Sequence, residues 1–319
     1  MPVLCNYYIT LKCNAKCEFC NIWSDESYRN IEEQSLDDIR NNLNDLKKLG
    51  VKVIDFTGGE PLLSPNLIDA LKISKKLGFF TTITTNTILY PMFAEKLKGL
   101  VDSLSFSFGS SDKNKHNKIR GVDCYDSLLK SLKIANDLKQ KVILLYVVTD
   151  DNISELDDVV KFSQKNKIPI KLTPCFSYFG NKGLNANFAD HIKKYYKQPY
   201  VCADLAHVEF VKNMGNDISK PMCKAIDSTV VISPDNYLLL PCFHKNTCRL
   251  KIENNLYDLY NSEKTQKMKS MDGKWAFCKG CTIYCYMRSS YYKSFPSKYF
   301  FLFVRSQLKT LFEYMKPKI

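Results

Sequence analysis

No stretch of this chain approaches the about 18 consecutive apolar residues that a membrane-spanning helix needs, so no bilayer-crossing segment is expected. The start lacks the charged-then-apolar leader of a secreted protein. Together with 13 cysteines, that absence points to a reducing, cytoplasmic setting where thiols serve metals or catalysis rather than disulfides. Zinc-finger spacings, the aromatic signature of RNA-recognition modules, tandem repeats and low-complexity tracts are all missing, so no nucleic-acid partner is expected. Acids are scarce beside bases, 33 against 46, for a net charge of +13. Such a charge attracts nucleic acid, anionic lipid or an acidic substrate, but a lysine-rich surface that serves solubility is the plainer reading.

What is present has the balance of an ordinary folded protein, 45% hydrophobic and 25% charged. Its 319 residues accommodate one α/β barrel and an appendage. Short β-rich runs alternate with helical periodicity, which predicts strands at 4–10, 52–57, 80–85, 103–107, 142–149 and 168–173. Helices are expected between them at 35–49, 65–77, 91–97, 125–138 and 153–166, the first capped by Ser35 with Asp38 three residues on. Six βα units are too few for a closed eight-unit barrel, so the fold class is α/β, an open partial (β/α)6 barrel whose functional loops follow the strands. Beyond Pro174 the pattern changes: a loop at 181–187, a helical stretch at 190–214 broken at Pro199, and a boundary near Cys223. Residues 228–233 and 237–240 then read as a hairpin around Pro234-Asp235-Asn236, and the tail ends in a helix at 303–315. The expected domains are a barrel at 1–174, a helical connection at 175–222, a small α+β cysteine domain at 223–290 and a basic aromatic helix at 291–319.

The segment that carries most chemistry is Cys13-Asn14-Ala15-Lys16-Cys17-Glu18-Phe19-Cys20, in the loop after the first strand. Three thiolates in C-x3-C-x2-C spacing hold three irons of a [4Fe-4S] cube and leave the fourth open to a ligand. The competing reading is a zinc knuckle short of its fourth ligand. After the second strand comes Phe56-Thr57-Gly58-Gly59-Glu60-Pro61, where adjacent glycines permit a close backbone approach and the acid suits an ammonium group.

These two motifs together resemble the signature of the radical S-adenosylmethionine superfamily. The resemblance covers about residues 4–174 and implies a partial barrel with a [4Fe-4S] cluster on Cys13, Cys17 and Cys20 and S-adenosylmethionine on its open iron. It implies that Phe19 packs on the adenine and that Gly58, Gly59 and Glu60 receive the methionine amino group. Ser107, Thr149 and Asn152 fall where the family binds ribose and carboxylate, while His116 and Ile119-Arg120-Gly121 fall in a loop that often carries a histidine and an Arg-Gly pair. For His116, Arg120 and Asn152 a capping role competes with a functional one.

A second set of thiols comprises Cys223, Cys242, Cys278, Cys281 and Cys285. The run from Cys223 through the expected hairpin to Pro241-Cys242 resembles the start of SPASM or twitch domains, which implies one auxiliary Fe-S cluster; structural zinc is the alternative. Cys278, Cys281 and Cys285-Tyr286 also resemble the tail of adenosyl-hopene transferases. Cys5, Cys124, Cys175, Cys202 and Cys248 follow no pattern and read as packing thiols.

The resulting expectation is an enzyme that cleaves S-adenosylmethionine reductively to a 5′-deoxyadenosyl radical and modifies a small-molecule metabolite or a lipid. Its electron would come from a donor such as flavodoxin or ferredoxin. Alternatives are a maturase of a ribosomal peptide, against which the lack of a winged-helix peptide-binding wing counts, and a non-catalytic Fe-S or zinc protein. Peripheral membrane contact through the lysine-rich aromatic tail competes with a helix that merely covers a domain edge.

Overall fold

The computed structural model describes residues 1–28, 31–176 and 183–316. Residues 181 and 182 of the expected loop, and the lysine at 318, lie outside these. The barrel runs β1 (Leu4–Thr10), α1 (Leu36–Lys48), β2 (Val53–Gly58), α2 (Leu67–Lys76), β3 (Phe80–Thr85), α3 (Tyr90–Leu97), β4 (Ser103–Ser107), α4 (Lys113–Arg120), α5 (Tyr125–Asp137), β5 (Val142–Val148), α6 (Leu156–Asn166) and β6 (Ile170–Pro174). Then follow α7 (Ala189–Tyr196), β7 (Val201–Ala203), α8 (Leu205–Lys212), α9 (Ala225–Ser228), β8 (Thr229–Ile232), β9 (Tyr237–Leu240) and β10 (Cys248–Lys251). Four helices close the chain: α10 (Leu256–Asn261), α11 (Glu263–Lys269), α12 (Tyr284–Tyr292) and α13 (Lys298–Met315).

All ten strands form one open sheet in the order β10-β9-β8-β1-β2-β3-β4-β5-β6-β7. The pairs from β1 to β7 are parallel, as repeated βα units require. Alternation along β2 shows how the sequence sets the two faces: Ile54 and Phe56 are fully buried in the main core, while Asp55 accepts a hydrogen bond from Thr82 and Thr57 lines a cavity. The capping box of α1 forms as its spacing predicts, Ser35 Oγ accepting from the Asp38 N–H at 3.1 Å and the Ser35 N–H donating back to Asp38 at 3.0 Å. β8 lies parallel to β1, with Leu4 opposite Thr229 and Tyr7 opposite Ile232, so the sheet continues across the position near Cys223 where the sequence pattern changes.

Two segments differ from their sequence reading. Residues 113–120, expected as loop, form α4; the run Lys-Asn-Lys-His-Asn-Lys-Ile-Arg offers almost no apolar periodicity, and the helix starts instead from Asp112, whose side chain accepts from the Lys115 N–H at 2.9 Å. The helical stretch at 190–214 is split by β7, three residues that pair with β6 and are too short to announce themselves.

The last two helices close the barrel from inside and below. From α12, Tyr284 Oη receives a hydrogen bond from Lys171 Nζ of β6 at 3.1 Å and donates to Asp204 at 3.1 Å, which ties the helix to the β6–β7 edge of the sheet. Burial pushes the Lys171 ammonium down to about 8 and raises Asp204. α13 crosses the strand starts, held where the Leu205 N–H meets Ser306 Oγ at 2.9 Å and the Tyr200 N–H meets Glu313 at 3.0 Å. A groove of about 620 Å³ remains between the starts of β1 to β5, with Leu4, Val53 and Phe80 on one wall and Tyr292, Leu308 and Leu311 on the other. No helix among the described residues is long and apolar enough to cross a membrane.

Candidate active site

β1 ends in the cysteine loop and β2 in the Gly-Gly-Glu turn, and the two are pressed together. Thr10 carbonyl accepts from the Gly59 N–H at 3.0 Å and Lys12 carbonyl from the Glu60 N–H at 2.8 Å. A side chain at Gly58 would place its Cβ 1.7 Å from the Thr10 carbonyl oxygen, and one at Gly59 2.2 Å from that of Lys12. Gly58 also sits at φ 139°, which L-residues avoid. The close approach that these glycines allow is therefore between two protein loops, in addition to whatever they present to a ligand.

The cysteine loop is braced from the other side by α4. The Lys16 N–H donates to the Arg120 carbonyl at 2.9 Å and the Glu18 N–H to that of Ile119 at 3.1 Å. Gly121 ends the helix in the left-handed region at φ 63°, and a Cβ there would meet the Lys16 carbonyl oxygen at 2.3 Å. Trp23 Nε1 donates to the Cys17 carbonyl at 3.2 Å.

This scaffold brings Cys13, Cys17, Cys20, Phe19, Gly58, Gly59, Glu60 and Ser107 around one cavity of about 170 Å³. Arg120, which sequence reasoning left between a capping and a functional role, lines it too, and its Nε is buried with no hydrogen-bond partner. Asn86, which with Thr85 closes β3 and is a weaker echo of the family pattern, lines it as well; its backbone N–H donates to Glu60 Oε2 at 2.7 Å, while the Leu62 N–H donates to Oε1 at 3.2 Å. Glu60 is 1% exposed, and burial raises its pKa against those hydrogen bonds. Burial likewise pushes the Cys13 thiol up to about 11 and raises Cys17, with the Arg120 cation opposing at Cys17. Thiols so raised keep their protons until a metal displaces them. Three soft sulfur donors, a desolvated carboxylate and an unpartnered guanidinium edge fit an iron-sulfur cluster beside a zwitterionic ligand.

Phe19 also borders a second cavity of about 680 Å³, shared with Thr149, Asn152, Lys115, Lys118, Asp150, Asp151 and Glu155. The polar atoms of Asn152 are engaged locally: Oδ1 accepts from the Thr149 N–H at 2.9 Å and Nδ2 donates to the Val147 carbonyl at 2.9 Å. His116 is fully buried, its Nδ1 accepting from the Gly109 N–H at 3.2 Å.

The C-terminal thiols divide. Cys223, Cys242, Cys278 and Cys281 line a cavity of about 360 Å³ with Asp272 and His244, neither of which the sequence singled out. Cys285, on the first turn of α12, is not on that wall; burial pushes its thiol up to about 12, and nearby Asp55 adds to the rise. Tyr8 of β1 stacks on Phe243 with ring centroids 3.9 Å apart, in a hydrophobic cluster that also packs Cys20, Cys242 and Cys281.

Residues 7–163 match the Radical SAM superfamily. Among curated relatives, the probable GTP 3′,8-cyclase of Sulfurisphaera tokodaii is 28% identical over 248 residues, 69% of this chain and 76% of that one. The probable GTP 3′,8-cyclase of Saccharolobus solfataricus is 29% identical over 243 residues, 70% of this chain and 78% of that one. Among solved structures, Streptococcus suis SuiB bound to S-adenosylmethionine superposes with a TM-score of 0.68 at 21% identity, over 88% of this chain and 69% of that one. The anSMEcpe structure with bound AdoMet superposes with a TM-score of 0.62 at 16% identity, over 98% of both chains. Motif, open parallel sheet and relatives agree that residues 7–163 form a radical SAM domain.

Proposed function

We propose that Cys13, Cys17 and Cys20 hold the [4Fe-4S] cluster of this radical SAM enzyme and that S-adenosylmethionine lies between Glu60, Ser107, Arg120 and Phe19. The observation that carries the reading is the single cavity lined by all three thiols together with Gly58, Gly59, Glu60, Ser107 and Arg120. Glu60 makes no ion pair among the described residues, so an incoming ammonium would offset its desolvation. The unpartnered Nε of Arg120 and the Ser107 hydroxyl suit a carboxylate. When bound, the cluster supplies the electron that splits the sulfonium into methionine and a 5′-deoxyadenosyl radical. Phe19 separates the thiols from the larger cavity and would hold the adenine against it.

The substrate we assign to that larger cavity is a polar small molecule. Lys115, Lys118, Asp150, Asp151 and Glu155 surround the space beyond Phe19, and a wholly apolar lipid chain would strip water from these charges without replacing it. The similarity to enzymes named GTP 3′,8-cyclase points the same way. Thr149 and Asn152 would shape the wall by fixing the turn after β5, and a flavodoxin- or ferredoxin-like protein would deliver the electron.

Cys223, Cys242, Cys278 and Cys281 are proposed to hold one auxiliary Fe-S cluster of SPASM or twitch type, with Cys285 as a neighbouring thiol. Four thiols on the wall of one cavity of about 360 Å³ suit such a cluster, and the neighbouring barrel already calls for cluster assembly, which favours Fe-S over zinc.

The deciding experiment is anaerobic reconstitution followed by reduction in the presence of S-adenosylmethionine. Wild-type protein should release 5′-deoxyadenosine and methionine, and Cys17→Ala should release neither while keeping its far-UV circular dichroism. Undiminished cleavage by Cys17→Ala would remove the assignment.

A further inference from the structure

The outer face of α13 is a feature that the chemistry above leaves unused. Phe301, Leu308, Leu311, Phe312 and Met315 are 57%, 63%, 54%, 64% and 61% exposed, and their spacing puts them along one side of the helix, of which Leu308 and Leu311 form the edge that also walls the groove at the strand starts. The opposite side is spent on the protein, through buried Phe303, Ser306 and Glu313. Tyr292 and Phe295, 54% and 68% exposed, extend the apolar surface beyond the start of the helix. Single exposed apolar side chains are commonplace, whereas a contiguous strip of this kind marks an interaction surface.

The charges around the strip select its partner. α13 and the residue after it carry Lys298, Arg305, Lys309 and Lys316 against one acid, Glu313, which is 3% exposed and bridged by Lys309 at 3.2 Å and Lys316 at 2.6 Å. Lys298 shares Glu209 with Lys193, and exposed Arg305 makes no ion pair among the described residues. The helix thus turns outward apolar side chains flanked by excess positive charge, with no exposed acid of its own. A second copy brought face to face would oppose cation to cation, on a chain already at +13. Lipid phosphates complement the same surface, and the acyl boundary receives the apolar strip.

We propose that α13 docks the protein in the plane of an anionic membrane surface through this strip. Docking is peripheral, since the helix cannot span. It uses the end of the barrel where the strands start, leaving the cavity that holds Cys13, Cys17 and Cys20, at the strand ends, facing away from the bilayer.

The test uses the full-length reconstituted protein with vesicles of phosphatidylcholine, alone or mixed with phosphatidylglycerol. Co-sedimentation with the mixed vesicles is expected at low salt. It should fall at least tenfold as the screening length shrinks from about 10 Å at 0.1 M to about 3 Å at 1 M salt. A Leu308→Glu, Leu311→Glu, Phe312→Glu triple variant alters only side chains that are more than half exposed. It should keep its circular dichroism and its 5′-deoxyadenosine formation yet bind the mixed vesicles at least tenfold more weakly. No binding by wild-type protein at low salt overturns the proposal, as does equal binding by the triple variant. A wild-type dimer that the variant dissolves, without any vesicle binding, overturns it in favour of a contact between copies.

Discussion

Glu60 is held in place by the very groups that neutralise part of its cost. Two backbone N–H groups, from Leu62 and Asn86, point at a carboxylate that is 1% exposed, and neither brings a full positive charge. Removing the carboxylate with Glu60→Ala should weaken S-adenosylmethionine binding by about 2–5 kcal/mol, the usual cost of stripping one partner from a desolvated charge pair. Titration calorimetry reads this directly, and an unchanged dissociation constant would leave the carboxylate as a mere cap for the turn at Pro61. Cys13, Cys17, Cys20 and Glu60 were legible in the sequence because each motif is local, with its spacing fixed inside a few residues. Arg120 and Asn86 were legible only as weaker echoes, since what makes them part of the cavity is their approach to Cys17 and Glu60, far away along the chain. The glycines fall between: their presence was legible, but the oxygen atoms of Thr10 and Lys12 that demand them were not.

Strong periodicity made β1 to β6 and the long helices readable, and polar or very short segments escaped. α4 carries charge on nearly every turn, so nothing in its pattern separates it from a solvated loop, yet it buttresses the cysteine loop through the carbonyls of Ile119 and Arg120. Gly121→Ala should break that brace, because the new Cβ meets the Lys16 carbonyl oxygen and the backbone is left-handed. We expect a loss of about 1–3 kcal/mol from strain of this kind. Lower iron content in the first cluster should accompany it, as a displaced loop can no longer present its thiolates together. Native iron content and an unchanged denaturation midpoint would show that α4 is a bystander. β7 was missed for the opposite reason: Val201, Cys202 and Ala203 are all buried, but three residues are too few to display a period.

Two thiol-lined cavities share one continuous sheet, and their separateness can be counted. If each holds a four-iron cluster, reconstituted protein binds about eight irons per chain. Cys278→Ala with Cys281→Ala should remove about half and leave some uncoupled cleavage of S-adenosylmethionine, since the other thiols keep their own iron. Retention of all the iron, or zinc in place of it, would exclude an auxiliary cluster. The sequence reads Cys285 as one more member of a run of five thiols, and the cavity wall carries the other four. The position of Cys285 on α12, beside Asp55 rather than on the cavity wall, follows from how that helix enters the barrel.

The same helix decides how molecules come and go. Tyr284, clasped between Lys171 and Asp204, makes α12 a stopper in the bore, and α13 lies across the opening beneath it. With the strand-start end obstructed in this way, the two cavities proposed for cofactor and substrate lie at the other end of the sheet, among the loops after the strands, and traffic to and from them would pass those loops.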